Sequence, residues 1–163
     1  MKHSIAAVLA VTAAAAAAAP ALAANGGCPA GQEGKTPFTA PTASKGHVDT
    51  HIYAQMPLGE QAIKAPGWRF RSRAIAVGPG AVIAVHSHNE RPETVTMKQG
   101  ELKIYETNCK VGYAMKEGEV FQSGHGKEHW AANETDHTAI MYVVDLVKED
   151  TFPGGAPKPA SAK

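Results

Sequence analysis

Three histidines and one glutamate are spaced so that their side chains could hold a single metal ion. His86 and His88 are separated by one residue, Glu93 follows shortly after, and His129 comes further along the chain. Side chains alternate between faces along a β-strand, so His86 and His88 should point the same way, about 7 Å apart. Two imidazoles on one face can share a metal held about 2.1 Å from each ring nitrogen. The spacing therefore predicts a metal site built on a strand.

Glu93 and His129 are expected to reach the same metal from other strands. Residues 89–92 should turn, so that a hairpin brings the Glu93 carboxylate back beside the histidines. A lone histidine in a strand is usually an ordinary hydrogen-bonded residue, and only the joint pattern favours ligation. Nitrogen and oxygen ligands without cysteine favour one divalent transition metal, namely Fe, Mn, Ni, Cu or Zn. Four protein ligands would leave two positions of a six-coordinate metal open for a substrate, water or dioxygen.

Outside the ligand set, one further histidine could take part in a reaction. His125 lies between Gly124 and Gly126, so we expect it in a loop, either exposed or lining the rim of the site. Together with Glu93 it is a candidate catalytic residue.

Four arginines could bind an anionic substrate. Arg69, Arg71 and Arg73 alternate along one predicted strand, and Arg91 lies beside the predicted mouth of the site. The simpler interpretation of the first three is a solvated outer face with salt bridges. Arg91 is the better anion-binding candidate of the four.

The elements that must position these residues are short β-like segments separated by glycine turns. The predicted strands cover residues 68–77, 81–88, 93–98, 101–106, 111–115, 119–122, 128–133 and 138–147. No stretch has apolar residues at helical spacing over ten or more positions. Short strands at this spacing are typical of a sandwich or a barrel, so the predicted fold class is all-β.

In the second of these segments apolar residues lie on both faces. Val82 and Ala84 should share the face of the histidines, and Ile83 and Val85 should lie on the other. The outer face therefore needs cover, either from a partner in a homodimer or from the chain N-terminal to the barrel.

The two ends of the chain are expected to lie outside the barrel. Residues 1–23 have a basic start, an apolar run and a small-residue cleavage signature near Ala23, which is typical of a secretory signal peptide rather than a membrane anchor. Residues 24–46 should form a flexible N-terminal arm, residues 47–150 the barrel and residues 151–163 a flexible tail. These features predict a periplasmic or secreted protein with no membrane attachment after cleavage.

Charge and cysteine content narrow the partners of the mature chain. Cleavage would remove Lys2 from 16 basic residues, leaving 15 against 15 acidic residues. A net charge near zero gives no electrostatic reason to bind nucleic acid, and we expect a small-molecule partner instead. Cys28 and Cys109 could form a disulfide in an oxidising compartment, remain free or pair between molecules.

Two sequence blocks closely resemble the paired motifs of the cupin superfamily. Residues 80–100 match G-x5-H-x-H-x3,4-E-x6-G at every fixed position, and residues 118–133 match G-x5-P-x-G-x2-H-x3-N except that Gly124 replaces proline. The chain resembles small, secreted, quercetin-dioxygenase-like bacterial cupins over about residues 68–147. This resemblance implies a single-domain jelly-roll β-barrel with a metal bound by His86, His88, Glu93 and His129.

The resemblance leaves several functions open, because one cupin site supports many reactions. The leading hypothesis is a metal-dependent oxidoreductase of the dioxygenase type that acts on a small, oxygen-rich organic substrate. The alternatives are a metal-dependent lyase, decarboxylase or isomerase, and a non-catalytic periplasmic protein that binds metal or a small ligand.

Overall fold

Alternating burial along the strands explains why this chain forms two packed sheets. In the strand Glu93–Gln99, for example, Glu93, Val95 and Met97 are buried while the residues between them are less so. The computed structural model describes residues 27–149. Its strands are β1 Val48–Pro57, β2 Trp68–Val77, β3 Val82–Ser87, β4 Glu93–Gln99, β5 Glu101–Glu106, β6 Tyr113–Lys116, β7 Val120–Ser123, β8 Glu128–Ala132 and β9 Ala139–Lys148.

The strands form two antiparallel sheets with a jelly-roll arrangement. The five-stranded sheet has the order β1-β2-β9-β4-β7, and the four-stranded sheet has the order β3-β8-β5-β6. Both sheets supply side chains to one apolar core, which includes Val77, Met97, Leu102, Phe121 and Val143. The predicted all-β jelly-roll fold is confirmed.

Eight of the nine strands coincide with predicted segments to within two residues at each end. The exception, β1, was not predicted. It is an edge strand whose residues are mostly exposed, so its sequence lacks the alternation of apolar and polar residues that marks a half-buried strand.

A β-bulge in β3 changes which side chains face the barrel interior. Ile83 pairs with Ala131 but His86 pairs with His129, so two residues of β3 lie opposite one residue of β8. An extra residue of this kind reverses the alternation along the strand. Ile83 consequently packs against the core, and Val82 lines a groove on the outer surface. The prediction that Val82 shares the face of the histidines is therefore wrong.

The segment before β1 lies along the open edge of β3. Lys45 and Val82 exchange backbone hydrogen bonds of 3.0 and 2.9 Å, and the Val85 N–H donates to the carbonyl of Pro41 at 2.9 Å. The Ala84 N–H donates to Ser44 Oγ, also at 2.9 Å. Of the two sources of cover considered for this strand, the structure shows the N-terminal segment. A homodimer stays a prediction.

A disulfide joins Cys28 to Cys109, which lies in the turn after β5. This is one of the three arrangements that the sequence left open. The bridge, together with the hydrogen bond from the Gly34 N–H to the Asn108 carbonyl, holds the start of the N-terminal segment against the barrel.

The predicted signal peptide at residues 1–23 and the predicted tail at residues 151–163 lie outside the described residues, and the proposed division of the chain into these parts stays a prediction. Within residues 27–149 no helix has the length and apolar character needed to cross a membrane.

Candidate metal centre

The three histidines and the glutamate converge at one end of the barrel. His86 lies near the end of β3, His88 follows that strand, Glu93 begins β4 and His129 belongs to β8. One ligand atom from each of the four lies within 4.8 Å of all the others. The three imidazole centroids are 4.6 to 4.8 Å apart. The structure therefore brings together all four predicted ligands in a group that could hold a metal ion.

Hydrogen bonds to the outer nitrogen of each ring orient the three imidazoles. His86 Nδ1 is 2.8 Å from the carbonyl oxygen of Ala84, and His88 Nδ1 is 2.9 Å from that of Arg91. His129 Nδ1 is 3.3 Å from Ser123 Oγ. A backbone carbonyl can only accept, so Nδ1 of His86 and His88 must donate, which leaves the Nε2 lone pair of these rings available for a metal.

The inner ring nitrogens meet the requirements of a metal ligand. His88 Nε2 is fully buried and makes no hydrogen bond, although Glu93 Oε1 is only 3.3 Å away. A buried polar atom without a partner is costly, and a metal ion would satisfy it. Nitrogen and carboxylate donors of this kind suit a divalent transition metal. The residues present therefore fit the metal that the sequence predicts.

Burial also adjusts the protonation of the ligands in the absence of metal. It lowers the pKa of His86 and His129 and lowers that of His88 to about 4, so all three rings are neutral near pH 7. Burial raises the pKa of Glu93 to about 7 despite the opposing charges of Arg91 and Arg73. Neutral imidazoles are the form that binds metal, whereas Glu93 must lose its proton.

A row of polar side chains crosses the five-stranded sheet beside the ligands. Arg71, Asp145, Glu93 and Ser123 are direct cross-strand partners on β2, β9, β4 and β7. We call these four residues the polar row. All four are buried, so they point between the two sheets at the level of the metal ligands.

Asp145 links the polar row to two further arginines. Its carboxylate accepts two hydrogen bonds from Arg71, at 2.9 and 2.7 Å. Asp145 Oδ2 is also 3.1 Å from Arg73 Nη2 and 3.2 Å from Arg91 Nη1. Burial acts to raise the pKa of Asp145, but the Arg71 hydrogen bonds and the neighbouring positive charges outweigh it and lower that pKa.

This arrangement corrects the interpretation of the arginines on β2. The side chains of Arg71 and Arg73 are only 9% and 13% exposed, so they do not form a solvated outer face. Arg69 is similarly covered, with its side chain 15% exposed, and it pairs with Glu149 at 3.2 Å near the end of the sheet. Asp145 was missed, although it is an acidic residue at an inward position of a predicted strand among apolar residues. Its role becomes clear only from its position beside Glu93 and Arg71 across the sheet.

A cavity of about 270 Å³ lies between the sheets next to the ligands. His86, Glu93 and His129 line one part of it, together with Arg73 and Arg91. Apart from Ser44, the rest of the wall is apolar and comes from both sheets, and it includes Ile75, Ile83, Val95, Ile104, Met115, Phe121, Met141 and Val143. Such a cavity suits a small organic molecule.

The structure does not place His125 in this cavity. His125 is exposed and lines a separate groove with Gln122, Lys127 and Phe70. Its exposed position is one of the two expected from the sequence, but His125 does not join the ligand group. A catalytic role for His125 stays a prediction.

A second buried polar cluster behind His129 was not predicted. Glu106 is fully buried, lies opposite His129 across the sheet, and accepts hydrogen bonds from Tyr113 and Lys127. An acidic residue at an inward position of a predicted strand was the one available signal, since inward positions are normally apolar.

Comparisons with known proteins bear on the fold of the chain. Residues 74–145 match the family model described as Cupin domain. Searching curated proteins gives no significant match. Among solved structures, a predicted oxalate decarboxylase from Thermotoga maritima superposes with a TM-score of 0.52 at 18% identity, over 66% of this chain and 86% of that one. The Schizosaccharomyces pombe Cnp3 cupin domain superposes with a TM-score of 0.50 at 14% identity, over 72% and 79%. At these identities the likeness concerns the fold alone.

Proposed function

From the match of residues 74–145 to the Cupin domain family model, we propose that the protein is a metal-dependent enzyme acting on a small organic molecule inside the barrel. One observation supports this most. The outer nitrogens of the three imidazoles are occupied by hydrogen-bond partners, which leaves the inner nitrogens available. These nitrogens and the Glu93 carboxylate lie close together beside the cavity. A site that merely stabilised the fold would not need donor atoms facing a cavity.

His86, His88, Glu93 and His129 would hold the metal, which we propose is Fe, Mn, Ni, Cu or Zn. Such a metal supplies Lewis acidity to oxygen atoms of a substrate and, if redox-active, a position for dioxygen beside them. The chain itself supplies the rest. Ser123 and two backbone carbonyls orient the rings, and the apolar wall excludes water from the reacting molecule.

The proposed reaction is a dioxygenase-type oxidation of a small, oxygen-rich substrate. Besides the ligands, the polar side chains lining the described cavity are those of Ser44, Arg73 and Arg91. An arginine stays protonated and an unassisted serine is a poor base, so the cavity offers no dedicated proton shuttle. This favours chemistry that the metal supplies over chemistry that requires an acid and a base.

A metal-dependent lyase, decarboxylase or isomerase is the second candidate. The proximity of Arg73 and Arg91 to Glu93, at 3.7 and 3.5 Å, favours it, because two cations beside a metal could hold a substrate carboxylate. A protein that binds metal or a small ligand without turnover is the third candidate.

Metal analysis of the isolated protein is the first test. We expect about one equivalent of a transition metal per chain, lost in His86→Ala and in His129→Ala because each variant removes one of four ligands. His125→Ala is the matched control and should keep its metal. An absence of metal, with no uptake on reconstitution, would contradict the proposal.

Oxygen-electrode measurements then separate the candidate reactions. The metal-loaded protein should consume oxygen with at least one of a panel of enols, flavonols, catechols and thiols. Product formed under anaerobic conditions would favour the lyase or isomerase instead. Ligand-dependent stabilisation without any turnover would favour the binding protein.

We also propose that the protein acts in the periplasm or outside the cell. The disulfide between Cys28 and Cys109 supports this, because such bridges persist in oxidising compartments. Amino-terminal sequencing of protein from a periplasmic fraction should give a start at about Ala24, and recovery of the full-length chain from the cytoplasm alone would contradict export.

A further inference from the structure

Arg73 and Arg91 place two positive charges on the wall of the cavity, next to the candidate metal ligands. Arg73 belongs to β2, and Arg91 lies in the turn before β4. The two guanidinium groups approach the same two carboxylate oxygens, Asp145 Oδ2 and Glu93 Oε2, at 3.1 to 3.7 Å. Two cations drawn this close to each other in a largely buried site require anionic partners.

The carboxylates present do not fully supply those partners. Asp145 is already bound through both oxygens by Arg71, and Glu93 is a candidate metal ligand. Among the described residues, three arginines therefore face two carboxylates. A bound divalent metal with neutral imidazoles would add further positive charge. The imbalance favours a negatively charged molecule in the cavity.

An unused hydrogen-bond donor points to the same conclusion. Arg73 Nε is buried and has no hydrogen-bond partner, although Arg73 lines the cavity. A buried N–H without an acceptor costs free energy, so its acceptor is expected to come from a bound molecule. The guanidinium group suits a carboxylate, because its planar set of donors matches the two carboxylate oxygens.

The remaining wall defines the other end of that molecule. Ile83, Phe121 and Met141 are among the apolar residues that line the cavity, and they provide no partner for a second charged group. Resting on the proposed function, we propose that Arg73 and Arg91 are specificity-determining residues that select a small organic carboxylate with an apolar body as the substrate.

Binding of benzoate and of its neutral analogue benzamide tests this proposal. Both molecules have nearly the same shape, and only benzoate carries a charge. Calorimetry should show that benzoate binds the metal-loaded and the metal-free protein, and that benzamide binds at least about tenfold more weakly in both, as expected for loss of a charge-assisted hydrogen bond.

Three variants assign the effect to the arginines. Arg73→Gln and Arg91→Gln should each weaken benzoate binding about tenfold or more without changing benzamide binding. Arg69→Gln is the matched control on the same strand and should bind benzoate as the wild type does, because Arg69 pairs with Glu149 instead. If Arg73→Gln does not fold, Arg91→Gln decides, since the Arg91 side chain is 27% exposed and tolerates replacement better.

The outcomes distinguish this proposal from the proposed function. Arginine-dependent benzoate binding by a protein that holds no metal and performs no turnover would support the anion site and refute the enzyme. Equal affinity for benzoate and benzamide, no benzoate binding, or full benzoate affinity in folded Arg91→Gln would overturn the anion site, whether or not the protein binds metal.

Discussion

At the scale of single residues, the three imidazoles are oriented by two kinds of hydrogen-bond partner, backbone carbonyls and a side-chain hydroxyl. The acceptors for His86 and His88 are backbone carbonyls, which no substitution of a side chain can remove. The partner of His129 is the hydroxyl of Ser123, which a substitution does remove. Ser123 also belongs to the polar row and pairs with Glu93 across the five-stranded sheet. It therefore links Glu93 to His129, which lies in the four-stranded sheet.

Ser123→Ala is expected to weaken metal binding about tenfold while leaving the fold intact, because loss of an outer hydrogen bond frees the ring of His129 to turn. Competition against a chelator of known affinity measures the change. Ser72→Ala on β2 serves as the control, since Ser72 lies on the opposite face of its strand from Arg71 and Arg73. Unchanged affinity in Ser123→Ala would show that ring packing against Phe121, His86 and His88 holds His129 without the hydroxyl.

The arginines show how the same residue type serves different purposes at this scale. Arg69 forms an ion pair with Glu149 near the end of the sheet, whereas Arg71 is bound through two hydrogen bonds by buried Asp145. The Glu149 side chain is 39% exposed, whereas the Arg71–Asp145 pair is buried on both sides. A partly exposed pair contributes less to stability than a buried pair, which is costly to break. The alternation of Arg69, Arg71 and Arg73 along β2 gave no indication of this difference.

At the scale of elements, the N-terminal segment completes the four-stranded sheet. Without it β3 would present unpaired backbone groups at the sheet edge, which favours association with other chains. The contact of Phe38 with Tyr105, which stacks on Trp130, extends this cover over the outer surface. Because β3 bears His86, and Ser44 lines the cavity, the segment also forms part of the wall of the candidate site.

Replacing both cysteines, Cys28→Ser with Cys109→Ser, should lower the free energy of unfolding by about 4 kcal/mol, because the bridge closes a long loop and restricts the unfolded chain. The bridged residues are 81 positions apart. Urea denaturation of the double variant and of the oxidised wild type gives the difference. Reduced wild-type protein is the control and should match the variant. A change well under 1 kcal/mol would mean that hydrogen bonding to β3 holds the segment without the bridge.

At the scale of the whole molecule, the candidate site is a source of instability for the metal-free protein. It gathers buried histidines, arginines and acids between two sheets where a core would otherwise be apolar. Groups whose pKa differs between the folded and unfolded chains make stability depend on pH. As the pH falls, the buried histidines lower the stability of the folded protein and Glu93 raises it. The balance between them decides whether the protein is less stable in acid.

The metal-free protein should therefore melt at a lower temperature at pH 5 than at pH 7.5. The pKa values of His86, His88 and His129 are lowered in the folded state, so the unfolded chain takes up their protons first and stability falls as the pH drops below about 6.5. Glu93, with a raised pKa of about 7, favours folding at lower pH, but it is one group against three.

Scanning calorimetry of the metal-free protein across this range measures the effect. His125→Ala, which removes an exposed histidine outside the ligand group, is the control variant. A melting temperature that is constant or rises toward pH 5 would contradict the assignment of three buried neutral imidazoles.

The sequence by itself determined the strands from Trp68 onward and the residues that form the ligand group. Both depend on local patterns, namely alternation along a strand and fixed spacing around turns. These patterns can be recognised within short stretches of the sequence, without knowledge of distant contacts. His86, His88, Glu93 and His129 could be selected because two motifs place them, and the structure brings them together. The edge strand β1 was not predicted, because most of its side chains are exposed and its sequence therefore shows no alternation of apolar and polar residues.

Only the tertiary structure decided which residues surround that group. Asp145 becomes the partner of Arg71 and Glu93 because β9 lies between β2 and β4, and no local pattern states the order of strands in a sheet. The bulge in β3 and the pairing of the N-terminal segment with its edge likewise depend on contacts between distant parts of the chain. The buried arginines, and the anion that they favour, are consequences of that long-range arrangement.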